Sequence, residues 1–71
     1  MSTEVRAPMV GKILSVKVDA GQSISEDDEM FILEAMKMEI PVGSPVNGTV
    51  KEIKVSAGDS VESDQVLAIV E

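Results

Sequence analysis

The chain has 71 residues, enough for one small domain with one core but too few for two. It contains no cysteine and no histidine, which excludes disulfides, thiolate nucleophiles, imidazole acid–base catalysis and the usual zinc ligands. Its formal net charge of -7 disfavours nucleic acids and anionic membranes as partners and favours proteins with basic surfaces.

The apolar residues are almost entirely aliphatic, with Phe31 as the only aromatic side chain, and such a core favours strands over helices. No stretch is apolar for long enough to cross a bilayer, and the N-terminal MSTEVRAP lacks the apolar region of a signal peptide. We therefore expect residues 1–71 to form a single cytoplasmic domain, monomeric in isolation.

The first half of the chain predicts short strands separated by polar turns. In order it reads GKILSVKV, the turn AGQSIS, an acidic run from Ser25 to Glu29, and the apolar strand MFILE. The acidic run leads at once into that strand, so we expect a loop with at most one helical turn. It lacks the glycine and the spacing of a calcium loop, and we predict no metal site.

A hairpin is predicted at the middle of the chain, where EAMKMEI joins the strand MFILE to a strand MEIPV. This pattern places Met36 and Lys37 at the tip. The tightest hairpin turns need positive φ at both central residues, and glycine or asparagine usually supplies it. Neither is present at this tip, so we expect strain of about 1 kcal/mol or more per residue.

The second half of the chain repeats the first at a constant offset of 37 residues. It reads GTVKEIKV, AGDSVES and QVLAIVE. The identities across the offset are Pro8 with Pro45, Gly11 with Gly48, Lys17-Val18 with Lys54-Val55, Ala20-Gly21 with Ala57-Gly58, Ser23 with Ser60, Asp27 with Asp64, Ile32 with Ile69 and Glu34 with Glu71. Eight short strands with this symmetry predict an all-β fold, a flattened barrel or sandwich of two four-stranded antiparallel sheets related by a pseudo-two-fold axis.

The apolar and polar alternation slips at the same place in both halves, near Leu14-Ser15 and near Lys51-Glu52. A slip of one residue turns every later side chain to the other face of a regular strand. We therefore predict a β-bulge at each of these two sites.

The motif EAMKM, the APMVG start with its echo SPVNG, the VDAGQSI and VSAGDSV turns and the closing VLAIVE resemble the biotinyl domains of the biotinyl/lipoyl attachment family. The resemblance covers nearly the whole chain and implies a barrel-sandwich hybrid fold. It implies that Lys37 carries covalent biotin, that Met36 and Met38 flank it for recognition, and that Glu34 and Ala35 complete the motif. The implied partners are a biotin protein ligase, a biotin carboxylase and a carboxyltransferase, with the domain itself catalysing neither transfer.

Other interpretations of the sequence remain open beside this one. A lipoyl carrier for a 2-oxoacid dehydrogenase or glycine-cleavage system has the same fold, although lipoyl domains typically carry Asp-Lys-Ala at the tip. An unmodified interaction module using the acidic face from Glu26 to Glu29 is another possibility, and a hydrolase with paired carboxylates is a remote one. The segment VDAGQSISEDDEMFIL leaves no room for the inserted thumb of some bacterial carrier domains, which favours the thumbless type.

Overall fold

The computed structural model describes residues 2–71, and these residues form eight strands and no helix. The strands, numbered in chain order, are β1 (Thr3–Arg6), β2 (Gly11–Val16), β3 (Ser23–Ile24), β4 (Glu29–Ala35), β5 (Met38–Gly43), β6 (Gly48–Ile53), β7 (Ser60–Val61) and β8 (Val66–Val70). Within this part of the chain nothing is both helical and apolar over the length of a membrane span. The predicted all-β class is confirmed.

The strands form two four-stranded antiparallel sheets, in the orders β1-β8-β6-β3 and β5-β4-β2-β7. If four is added to each strand number of the first sheet, counting β1 again after β8, the strand order of the second sheet results. The two sheets are therefore equivalent, and the 37-residue repeat appears in the structure as a pseudo-two-fold axis. Each sheet takes strands from both halves of the sequence. The halves share one core, as predicted, and their strands are interleaved within each sheet.

The core lies between the two sheets and is built from aliphatic side chains around Phe31. Its largest fully buried side chains are Phe31, Ile13, Met30, Leu33, Leu67, Val5, Val50, Val61 and Val70. These residues come from six of the eight strands. The resulting body is elongated, with extents of 33 × 17 × 17 Å.

Both predicted bulges are present. The pairing of β2 with β4 shifts between Ile13 and Ser15, and the pairing of β6 with β8 shifts between Val50 and Glu52. The unpaired residues are Leu14 and Lys51, which the sequence repeat relates to each other. Each bulge restores the inward direction of the apolar residues that follow it.

A second pair of bulges was not predicted. The register shifts between Glu29 and Phe31 on β4, and opposite Val5 and Arg6 on β8, leaving Met30 and Leu67 as the extra residues. Each is buried together with its neighbour, Phe31 or Ala68. These bulges could not be predicted from the sequence, because both lie in continuous apolar runs that have no alternation of apolar and polar residues to be interrupted.

The acidic run forms a turn at Glu26 and Asp27, and no helix, as expected. Asp27 has a φ of 72°, and its backbone N–H donates to the Ser44 carbonyl at 2.8 Å. This turn lies where β4 begins, whereas the hairpin tip follows its end at Ala35. The seven residues of β4, about 20 Å from end to end, lie between this turn and the tip.

Candidate functional site: the β4–β5 hairpin tip

The hairpin tip is a two-residue turn formed by Met36 and Lys37. Ala35 pairs with Met38 directly below it, and both turn residues have positive φ, 52° at Met36 and 62° at Lys37. This is the left-handed turn that matches the twist of a hairpin, and glycine and asparagine are the residues that adopt it most readily. The predicted position and the predicted backbone conformation of the tip are both confirmed.

The side chains at the tip point into solvent. Lys37 is exposed and takes part in no hydrogen bond or ion pair within residues 2–71. Met36 is 78% exposed and Met38 is 60% exposed, whereas Met30 in the core is fully buried. The two methionines of the tip therefore do not fill the core, and one lysine is presented between two apolar side chains.

The other two motif residues lie at the base of the tip on opposite faces of the sheet. Ala35 is only 6% exposed and points toward the core. Glu34 is exposed and sits directly across from Glu39 on β5, with Lys12 of β2 across from it on the other side. Neither glutamate belongs to an ion pair within residues 2–71. The outer face of the hairpin therefore carries two adjacent, uncompensated carboxylates.

The tip stands on a rigid base because β4 is a central strand, paired with β2 on one side and β5 on the other. Leu33, two residues before Ala35, is fully buried. A Cβ atom at Gly11 would lie 2.5 Å from the Glu34 carbonyl oxygen, so only glycine allows β2 to approach β4 this closely. The tip is held by the core while its own side chains remain free.

Glu39 belongs to this site although the sequence analysis did not include it. Its pairing with Glu34 follows from the register of a two-residue turn, which places residues 34 and 39 opposite each other. The signal was therefore present in the sequence once the turn was predicted. Fold and tip together define a small presentation domain, a rigid scaffold with one exposed lysine at its hairpin tip.

Comparison with known proteins identifies the family of this presentation domain. Residues 3–70 match the biotin/lipoyl family model described as "Biotin-requiring enzyme". The gamma subunit of methylmalonyl-CoA decarboxylase from Veillonella parvula is 60% identical over 35 residues, covering 49% of this chain and 27% of that protein. The biotinylated protein TB7.3 homologue from Mycolicibacterium smegmatis is 50% identical over 42 residues, 59% of each chain.

A solved structure gives the same result for the fold. The urea carboxylase of Kluyveromyces lactis contains a region that superposes on all of this chain with a TM-score of 0.94 and 27% sequence identity, covering 6% of that enzyme. The matched regions span 27% and 59% of the two relatives named above.

The chain belongs to the biotin/lipoyl family, because the family model covers nearly all of it. The predicted family is confirmed, and so is the prediction of a biotin-type carrier domain within it.

Proposed function

We propose that Lys37 is the residue that carries biotin, as an amide on its Nζ atom. The observation that carries this proposal is the exposed lysine at the tip of a rigid hairpin, at the junction between the two halves of a duplicated sequence. The motif EAMKM around it, with Glu34 and Ala35 leading into the turn, supports the same assignment.

Attachment requires an enzyme, and we propose a biotin protein ligase. A lysine amine is protonated at neutral pH and is then not nucleophilic, so an enzyme must deprotonate it and supply an activated acyl group. With a biotinyl adenylate, the neutral Nζ attacks the acyl carbon and the C–N bond forms. The C–O bond to phosphate breaks, AMP leaves with that electron pair, and the amine proton passes to a base. In this reaction Lys37 is the acceptor and the rest of the domain presents it.

We propose that the biotinylated domain carries carboxyl groups between a biotin carboxylase and a carboxyltransferase and catalyses neither step. A group on a long arm at a rigid tip reaches two active sites at high effective concentration without diffusing away. The names of the similar proteins, a decarboxylase subunit and a urea carboxylase among them, support this role. The lack of cysteine suits a reducing compartment and supports a cytoplasmic location for the single domain 1–71.

Met36 and Met38 are proposed to contact these partner proteins. Their exposure of 78% and 60% supports this, since a methionine that only fills the core is buried. Flexible, polarisable side chains adapt to more than one apolar surface, which suits a tip that enters several active sites.

Intact-mass analysis after incubation with biotin, ATP and a biotin protein ligase tests the proposal. We expect the domain to gain one biotinyl group, and Lys37→Arg, which keeps the charge, to gain none. Lipoate with a lipoate ligase is the matched control and should give no gain. No biotinylation of the wild-type domain, or biotinylation of Lys37→Arg, would contradict the proposal. If a Met36→Leu, Met38→Leu double variant is biotinylated at the same rate as wild type in this assay, the two sulfur atoms have no specific role in the reaction.

A further inference from the structure

The largest exposed apolar side chains of the described residues are Val10, Met36 and Met38. Val10 is 67% exposed, a value between those of the two methionines. It lies in the bend between β1 and β2, more than twenty residues before the hairpin tip in the sequence, and it is not part of the EAMKM motif. The chain has a net charge of -7, and exposed apolar side chains on such a surface mark a binding site when they are adjacent.

The register of the sheet brings Val10 to the level of the tip. Lys12 on β2 pairs with Glu34 on β4. Lys12–Glu34 is the last pair of this ladder, and continuing the antiparallel register two residues beyond it on each strand puts Val10 level with Met36. Neighbouring strands are about 5 Å apart. The bend that contains Val10 therefore flanks the hairpin tip on the β2 side, with Glu34 and Glu39 below it.

The fold itself does not require valine at position 10. The repeat relates Val10 to Asn47, which has the same place in the other half and whose Oδ1 accepts a hydrogen bond from the Glu26 N–H at 2.7 Å. The backbone thus accepts a polar residue at this position. Since the side chain of Val10 is mostly in solvent, packing does not account for its apolar character either.

We propose that Val10 forms one contact surface with Met36, and that this surface docks against an apolar patch with basic surroundings on the enzyme that acylates Lys37. The inference rests on the proposed function of Lys37. That enzyme must bring an acyl carbon to bonding distance of Nζ, so it approaches within one lysine side chain of the hairpin and covers its neighbours. The carboxylates of Glu34 and Glu39 beside the surface favour cationic groups around the apolar patch.

The test is the kcat/KM for biotinylation at low domain concentration, measured with a biotin protein ligase, biotin and ATP. Val10→Asn installs the residue that the other half carries at the equivalent position, so the fold should be retained. We expect kcat/KM to fall about five- to tenfold, as when an exposed valine is no longer buried on binding. Val10→Ile, which keeps the apolar contact, should react at the wild-type rate.

Two further measurements separate docking from folding and from lysine accessibility. The thermal unfolding midpoint should be the same for wild type, Val10→Asn and Val10→Ile. Acylation of Lys37 by a small N-hydroxysuccinimide ester, followed by peptide mapping, should also be the same, since this reagent needs no docking surface.

Equal kcat/KM for Val10→Asn and wild type, with Lys37 biotinylated in both, would overturn this inference and leave the proposed function intact. A parallel loss with the small ester would overturn it as well, because the change would then lie in the lysine and not in docking. Failure of the wild-type domain itself to accept biotin would overturn both proposals.

Discussion

At the scale of single residues, the hairpin turn has a methionine and a lysine at two positions where glycine would be less strained. Met36 and Lys37 both adopt positive φ, a region that costs an L-residue about 1–2 kcal/mol relative to right-handed conformations. Glycine would adopt it without that cost. The side chains of Met36 and Lys37 are exposed and contribute little packing to offset this strain. Their role is therefore not to stabilise the domain.

Replacing Lys37 with glycine should therefore stabilise the unmodified domain while abolishing biotinylation. We expect a gain of about 1 kcal/mol in the free energy of unfolding, or about 4–8 °C in the thermal midpoint for a domain of this size. Lys12→Gly is the matched control: it lies within β2 at ordinary strand φ and should destabilise. A Lys37→Gly midpoint at or below that of wild type would show that the turn carries no strain.

At the scale of the hairpin, two carboxylates face each other without a cation between them. Glu34 and Glu39 are directly paired across β4 and β5, and like charges in this arrangement destabilise a sheet. Lys12 is the cross-strand neighbour of Glu34 on the other side, but it is not within ion-pair distance. The two carboxylates slightly destabilise the hairpin, and they also make its outer face acidic, which we expect to attract basic surfaces of partner proteins.

We expect Glu39→Lys to stabilise the domain by about 0.5 kcal/mol in low salt, because a repulsive pair becomes an attractive one. Glu39→Gln removes only the repulsion and should give an intermediate value. Urea unfolding at low and high ionic strength measures both, and screening should shrink the differences at high salt. Gains that do not depend on salt would assign the effect to something other than charge.

At the scale of the whole molecule, the interleaved sheets bring residues beside the first and the last strand together. The backbones of Thr49 and Glu71 exchange two hydrogen bonds, of 2.6 and 2.8 Å. The Glu71 carboxylate accepts a hydrogen bond from Lys51 Nζ at 2.9 Å and one from Ser2 Oγ at 2.8 Å. Ser2 precedes β1 and Glu71 follows β8, and the repeat relates this pair of strands to β5 and β4, so the polar cluster lies at the end of its sheet that corresponds to the hairpin tip.

These contacts predict a pH dependence with a definite sign. The hydrogen bonds from Lys51 and Ser2 lower the pKa of Glu71, and the hydrogen bond to Glu71 raises the pKa of Lys51. For Glu71 the stabilisation is present above the ordinary glutamate pKa and is lost as the pH falls through the lowered folded pKa. For Lys51 it is present below the ordinary lysine pKa and is lost as the pH rises through the raised one.

Glu71→Gln should therefore lower the thermal midpoint slightly at neutral pH, and the difference from wild type should vanish in acid and again in strong alkali. The effect is small because all three side chains are exposed. Thermal unfolding of both proteins across the pH range measures it. A gap that stays constant with pH would assign the effect to packing and not to the ionised carboxylate.

The sequence by itself determined the strands, the duplication, the hairpin tip at Met36 and Lys37, and the bulges at Leu14 and Lys51. These features depend on periodicity, on turn chemistry and on a repeat, all of which are local or visible along the chain. The motif around Lys37 could be found for the same reason.

Only the tertiary structure decided which residues from distant parts of the sequence meet. The bulges at Met30 and Leu67 depend on the register of β4 against β5 and of β8 against β1. The pairing of Lys12 with Glu34 below the tip depends on the register of β2 against β4, which the Leu14 bulge and the close approach at Gly11 set together. Register and packing depend on the partner strand, so they cannot be predicted from the alternation of apolar and polar residues along a single strand.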